Sequence, residues 1–310
     1  MTNDLRNLER SRLLKKYRAL YLFLLPGFII LILFAYLPMI GMVMAFQQYN
    51  PVSGFLGSNF VGLSNFERVF SSPTFARSLR NTLVISSLKI AFGFTMPILV
   101  SLLLNELRSR RYQKSVQTII YIPNFVSWVI AAGIWYSLLG DRGIVNNLLL
   151  QLGLVDESIL FMQEKGLFYP IIILTDLWKN VGYNTIFYMA AIAAIPTEQY
   201  EAAMIDGASR LQQARYITLP SLSKTIVLLL ILQAGGLLSA GFDQLWTMSN
   251  LAVRDVADIL DTAVLRSLTS GSINDLSTGA ALGMFKAVVA LLLFLLTNQI
   301  AKRLGQESLL

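Results

Sequence analysis

The sequence predicts an all-α membrane protein with six transmembrane helices and both termini in the cytoplasm. Three observations lead there. The 310 residues are 55% hydrophobic and only 14% charged, where a typical soluble domain carries about 25% charged residues. The mean hydropathy is +0.59. The apolar residues gather in long runs, and Lys and Arg concentrate on alternate connections between them.

A helix rises about 1.5 Å per residue, so a hydrocarbon core of about 30 Å needs roughly 20 apolar residues. Six segments qualify: Leu20–Phe46, Asn81–Leu107, Gln117–Leu139, Leu167–Ile195, Leu222–Met248 and Thr278–Lys302. Lipid offers backbone groups no other partner, so the spans must be helices. The short alternating strands of a barrel are absent. The first run follows Arg6, Arg10, Arg12, Lys15, Lys16 and Arg18. That resembles the basic start of a signal peptide, but the run is roughly twice the length of a signal core and no small-residue cleavage site ends it. It reads as a retained helix. The chain divides into a basic cytoplasmic segment 1–19, a membrane domain 20–305 and a short cytoplasmic tail 306–310.

Orientation follows from the basic residues. With the N-terminus inside, the cytoplasmic segments hold fifteen Lys and Arg and the outer segments seven. The inner group includes Arg108, Arg110, Arg111 and Lys114 in one loop, and Arg210, Arg215 and Lys224 around another. This placement accounts for most of the net charge of +7 without a nucleic-acid partner. There is no Cys and no His, which excludes disulfides, thiolate or His metal sites and His-based acid–base catalysis.

Outside, Gln47–Arg80 carries turn signals at Asn50-Pro51 and Ser72-Pro73. The segment Ala252–Asp275 carries Asp255, Asp258 and Asp261, whose spacing places three carboxylates near one helical face. Two readings stand: a solvated amphipathic helix on the outer surface, or part of a docking surface for an external partner.

The connection 197–220 is the most informative. Pro196 ends the fourth run, since proline cannot continue a helical ladder. Thr197 suits an N-cap, with Glu198 in the first turn. A short helix then runs to about Asp206, with Tyr200, Ala203 and Met204 as an apolar stripe. Gly207 can end it by taking a positive φ, and Pro220 suits the first turn of the fifth span. An interfacial helix resting on anionic lipid would carry bases. This one has three acids and none, so a basic protein groove fits it better.

The stretch EAAMIDGASRLQQARYITLP, residues 201–220, resembles the signature of binding-protein-dependent ABC importer permeases. The matching positions are Glu201, Ala202, Ala203, Gly207, Ile217, Leu219 and Pro220. Further stretches resemble carbohydrate-type permeases, closest to those for polysaccharides and oligosaccharides. These are residues 15–51, FVGLSNFERVF at 60–70, RNTLVIS at 80–86 and the C-terminal AKRLGQESLL. The resemblance implies the type I importer permease fold in a bacterial cell membrane. In that family the 197–220 loop is a coupling helix docked in an ATPase cleft, with Glu201 facing a basic residue, Gly207 at the turn and Asp206 beside it. It also implies a second permease subunit, two ATPase subunits and an external solute-binding protein. No phosphate-cradling G-x-x-x-x-G-K-[ST] occurs in this chain. It is therefore expected not to be an enzyme and to bind no cofactor, with ATP and Mg²⁺ held by the partner ATPases.

Polar and aromatic residues inside spans face a cavity or a partner, and sugars are read by aromatic rings and a few polar groups. The candidates for the substrate path are Asn124, Trp128, Trp135, Asp176, Trp178, Lys179, Asn184, Gln233, Asp243 and Gln244. Each has a plainer reading. Asp176 and Lys179, three residues apart, would neutralise each other, the tryptophans would anchor or pack, and Lys89 and Lys286 would pair across helices or snorkel. Gly235 and Gly236 are assigned to helix packing. Inside the spans three lysines (Lys89, Lys179, Lys286) face two acids (Asp176, Asp243), an excess that points to an acidic sugar. The competing functions are an ABC permease for a non-sugar solute, a secondary transporter, and a membrane-embedded enzyme. The secondary transporter would leave the 197–220 loop unexplained, and the enzyme lacks a ligand set.

Overall fold

The computed structural model describes residues 16–269 and 273–303. Arg6, Arg10, Arg12, Lys15 and the tail 306–310 lie outside the described residues. Three helices are each long and apolar enough to cross a membrane: Arg18–Phe46, Pro73–Asn105 and Asp275–Ile300. Two bent pairs raise the number to five. Helix Lys165–Ala193, the fourth expected run, spans 29 residues, about 43 Å at helical rise. Asp176, Lys179, Asn180 and Asn184 place polar side chains at its middle.

The third expected run is not a single straight span. Arg110–Phe125 and Trp128–Gln151 meet at 104°. Pro123, which has no N–H to donate, sits in a single 3₁₀ turn, Ile122–Phe125. Ser127 then starts the next helix, its hydroxyl accepting from the Ile130 N–H at 3.3 Å. The fifth expected run is interrupted as well. Helix Ser223–Gly235 stops, and helix Phe242–Met248 starts only behind Gly241, at φ +85°. Gly235 and Gly236, expected to pack inside one span, instead stand at its break. The second helix begins at Pro73 rather than Asn81, because Ser72 caps it, accepting from the Thr74 N–H at 3.2 Å, and Pro73 suits its first turn.

The outer connections are ordered by buried asparagines. Strand Gln47–Gln48 pairs antiparallel with Asn59–Phe60, and Asn65 donates to the carbonyls of Ala45 and Gln47 at 3.0 and 2.9 Å. Asn146 donates to Gly140 and Ile159 and accepts from the Ile159 N–H, all at 2.9 Å. That pins the loop after helix Trp128–Leu139.

Segment 252–275 overturns the expectation of one solvated helix with three carboxylates in a row. The chain breaks at Asp258 between Arg254–Ala257 and Leu260–Thr269, and the aspartates diverge. Asp255 stays exposed between Arg77 (2.8 Å) and Lys165 (2.7 Å). Asp258 is buried between Arg254 (3.0 Å) and Arg266 (3.1 Å). Asp261 turns inward and pairs with Lys286. The apolar side chains between them (Val253, Ala257, Ile259 and Leu260) are buried, so this segment plugs the bundle rather than lying on it.

The largest buried cluster joins Ile85, Phe168, Ile172, Leu245, Met248 and Ile259. A second joins Ala45, Leu260, Ala263 and Ala281, beside a ring triad of Phe70, Phe75 and Phe285 with centroids 5.3 to 5.5 Å apart. A small third cluster holds Tyr188, Ile192 and Leu222. No residue of Arg18–Leu31 is buried. Its apolar side chains stay uncovered among the described residues, as suits a helix that faces lipid.

Helix Arg110–Tyr121 approaches helix Lys165–Ala193 at Gly182, where a Cβ would lie 1.9 Å from the Ile120 carbonyl oxygen. Overpacking typically costs about 1–3 kcal/mol. Gly182→Val is therefore expected to lower the thermal midpoint of the detergent-solubilised protein by several degrees in a size-exclusion melt, with Gly182→Ala intermediate. At Asp255, the Lys165 ammonium, helped by Arg77 and Arg254, holds the carboxyl below its ordinary 3.8. A depressed carboxyl contributes stability above its unfolded value and loses it as pH falls through the folded one. Protection of the 254–257 amides, corrected for the intrinsic pH dependence of exchange, should thus fall only below about pH 4, and Lys165→Met, which raises the folded value, should make that fall smaller.

Candidate substrate path and coupling loop

Helix Thr197–Ile205 starts one residue earlier than expected. Pro196 occupies the capping position and no side chain caps the helix, so Thr197 is its first residue rather than its N-cap. Its end is as the glycine implied. Gly207 sits at φ +77°, its N–H reaches the Met204 carbonyl at 3.1 Å, and the Ala208 N–H reaches Ala203 at 2.8 Å. That pair of bonds is the left-handed helix stop of a Schellman turn. Ser209 and Gln212 then form a reciprocal capping box.

From Arg210 the chain stays helical to Ser221, with a π stretch at Ala214–Thr218. Pro220 lies inside this run rather than in the first turn of the span. Its missing N–H loosens the preceding turn, and the run meets helix Ser223–Gly235 at 57°. Tyr200 hydroxyl bonds Thr218 at 2.9 Å, Gln213 donates to the Ala208 carbonyl at 3.0 Å, and Arg210 pairs with Glu106 at 3.0 Å. The loop is thereby tied back to its own bundle. Glu201, Ala202, Asp206 and Gly207 remain exposed, as do Leu219 and Pro220, while Ala203 and Ile217 are half-buried. Ile205 (87% exposed) and Leu211 (79%) stand beside them.

Deeper in the bundle, the expected pairing of Asp176 with Lys179 does not form. Lys179 is buried, and its ammonium donates to the carbonyls of Pro123 (3.3 Å), Asn124 (2.7 Å) and Val126. It caps the broken end of the third run and lies 5.5 Å from the Trp128 ring. Asp176 instead pairs with Lys89 across helices at 3.1 Å and accepts from Asn180 at 3.2 Å. Asn180 in turn accepts from Asn124 at 3.1 Å. Gln244 is fully buried. It accepts from Lys89 and donates to the Ile172 carbonyl and Thr175 hydroxyl, each at 2.8 Å.

Two adjacent cavities share Ser239 and Gly241. The larger, about 600 Å³, is lined by Trp128, Phe242, Asp243, Asp261 and Lys286. The smaller, about 300 Å³, is lined by Ser86, Lys89, Asp176, Asn184 and Gln233. The expected path residues therefore divide. Trp128, Asp176, Asn184, Gln233 and Asp243 reach a cavity. Asn124, Lys179 and Gln244 are framework struts. Trp135 and Trp178 pack edge to face at 5.6 Å. Sequence reasoning missed Ser86 and Asn180 on the cavity side, and nothing but their place in an apolar run could have marked them. Asp261, assigned to an outer helix, faces Lys286, so the apparent surplus of one cation disappears.

Residues 93–306 match the family described as binding-protein-dependent transport system inner membrane component. The chain is 45% identical over 306 residues to the polygalacturonan/rhamnogalacturonan transport system permease protein YteP of Bacillus subtilis (strain 168), covering 97% of this chain and 94% of that one. It is 43% identical over 298 residues to Protein LplB of the same organism, covering 96% and 92%. Among solved structures, a bacterial ABC transporter involved in import of the acidic polysaccharide alginate matches with TM-score 0.86 and 38% identity, over 95% of this chain and 99% of that one. The same kind of transporter in complex with an alginate pentasaccharide-bound periplasmic protein matches with TM-score 0.87 and 38% identity, over 96% and 99%.

Removing the Lys179 ammonium leaves the carbonyls at the break without their donor. A hydrogen bond to a charged group contributes about 1.5–3 kcal/mol. Lys179→Met is expected to destabilise the solubilised protein by at least that much in a thermal melt, with Lys179→Arg closer to the parent.

Proposed function

From a chain that belongs to the family of binding-protein-dependent transport system inner membrane components, we propose a permease subunit that carries an oligosaccharide or polysaccharide fragment into the cell. One relative is a polygalacturonan/rhamnogalacturonan transport permease and a similar solved transporter imports alginate, and the chain is itself a multi-pass membrane protein. The proposed topology is six spans with both termini inside. The third and fifth spans are bent, and Lys165–Ala193 is the sixth member of the set. The basic residues at the inner loops support that orientation.

ATP hydrolysis belongs to two separate ATPase subunits, since the chain contains no phosphate-cradling motif of its own. A second permease subunit completes the pathway, and a solute-binding protein delivers substrate from outside. The substrate path runs along the two cavities beside the fifth-span break, with Trp128, Asp176, Asn184, Gln233 and Asp243 on its wall.

The observation that carries the coupling assignment is the exposed face of 197–211. Glu201 makes no ion pair among the described residues, and Met204, Ile205 and Leu211 are exposed around it. An acid ringed by apolar side chains suits a groove with a basic residue at its base. An anionic membrane surface would repel it. Binding of ATP then moves the bundle only by the difference in how the ATPases fit its two states.

Glu201→Lys should leave the bundle folded and inserted while abolishing most saccharide uptake, with ATP hydrolysis no longer stimulated by loaded binding protein. Uptake at the parental rate, at parental membrane levels, would sink the coupling assignment. ATP-dependent uptake of no saccharide by the assembled complex would sink the importer reading itself.

A further inference from the structure

The smaller cavity differs from an ordinary sugar groove in its chemistry. Among the described residues no aromatic side chain lines it, although ring stacking is the usual way to hold a neutral sugar. Its wall offers an ammonium, a carboxylate, three amides and hydroxyls. Two of these polar atoms have no partner among the described residues: the Ser86 hydroxyl, on a residue 3% exposed, and the Gln233 side-chain carbonyl. A buried polar atom left unpaired costs about 1–3 kcal/mol, so such atoms on one wall point to a polar ligand that pairs with them.

Lys89 is placed for charge. Its ammonium lies against Gly241, where a Cβ would come within 2.4 Å of it. The glycine break in the fifth span is what lets the ammonium reach the cavity. Gln244 and Asp176 hold it there. Gln244 is locked by two further bonds, whereas Asp176 also has Asn180 as a partner to which it can turn. The carboxylate is the exchangeable member of the pair.

We infer that this cavity is a subsite for a uronic acid unit of the transported saccharide, with Lys89 as the counter-ion of its carboxylate and Asp176 as the internal occupant that the substrate displaces. The assignment rests on the importer reading above and adds the residues that read an acidic substrate's charge. Ser86 and Gln233 take the hydroxyls of the same unit. The volume of about 300 Å³, at the small end of ligand sites, suits one unit of a chain rather than the whole of it. A neutral sugar leaves the Lys89–Asp176 pair closed.

The test is calorimetric binding of uronic acid trisaccharides (galacturonate and mannuronate) to the assembled, nucleotide-free importer in nanodiscs, with neutral maltotriose as control. The acids should bind at least tenfold tighter than maltotriose. Asp176→Asn, which frees Lys89, should tighten acid binding further, and Lys89→Arg should keep the preference. The neutral pair Lys89→Gln with Asp176→Asn removes both charges without orphaning either, and should abolish the preference while the thermal midpoint holds. No acid preference in the parent, or an unchanged preference in that double variant, overturns the assignment. ATP-driven uptake by the same preparations separates the two claims. Uptake that persists alongside either overturning result refutes Lys89 alone, whereas no uptake of any saccharide refutes the importer reading.

Discussion

One buried ammonium organises the middle of this bundle. A helix broken inside a membrane leaves carbonyls without donors, and lipid supplies none. Lys179 reaches from the fourth span to the carbonyls of Pro123, Asn124 and Val126, and so makes the break in the third span tolerable. The cost of burying its charge is met by these carbonyl dipoles and the Trp128 ring. Because Lys179 is spent on the backbone, Asp176 on the same helix is left for Lys89 of the second span. Gly182, two helical turns from Asp176, lets the third span press against this helix closely enough for the bonds to form. The bent third span, the cross-helix ion pair and the cavity beside it are consequences of one arrangement.

The outer end is held differently. There the three aspartates of 252–275 act as separate anchors, one to the second and fourth spans, one to its own segment, and one to the sixth span. Asp258 receives two guanidiniums in a buried setting, where an unpaired carboxylate would be costly. Around it the side chains of Val253, Ile259 and Leu260 close the top of the bundle. Helix Phe242–Met248 packs beneath this segment and is itself tied to the spans, by Gln244 to Ile172 and Thr175 and by the Met248 carbonyl to the Tyr136 hydroxyl.

Much of this was legible in the sequence, and the failures share a cause. Hydropathy located every long helix, because the membrane demands length and apolarity and little else. The helix stop at Gly207 was also legible, since a positive φ after a short helix has few other solutions. The breaks at 122–127 and 236–241 were not, although Pro123 and Gly241 mark them, because a running average over an apolar segment hides an interruption of a few residues. Pairing of charges was misread where it depended on tertiary contact. Asp176 and Lys179 are neighbours on a helix, yet each found a better partner in another element. Asp255, Asp258 and Asp261 shared a face only on the assumption that the helix was continuous. In the 197–220 loop the short helix was legible from local sequence, although Thr197 and Pro220 take other positions in their helices than expected.

The helical run behind that loop has a mechanical meaning. From Arg210 to Gly235 the backbone is helical except for a single bend at Leu222, some 26 residues or about 39 Å of arm. One end is lashed to the surface loop by the Tyr200–Thr218 bond. The other ends beside Gly236, which lines the smaller cavity. Such an arm is a crank with its pivots already built in, at the π turn before Pro220 and at the unladdered residues 236–241. A tilt applied at this loop would be carried along hydrogen-bonded backbone and absorbed at the joints, where few ladder bonds need to break. Under the coupling role proposed above, the work of moving the bundle would be spent beside the proposed substrate path rather than dissipated along the way.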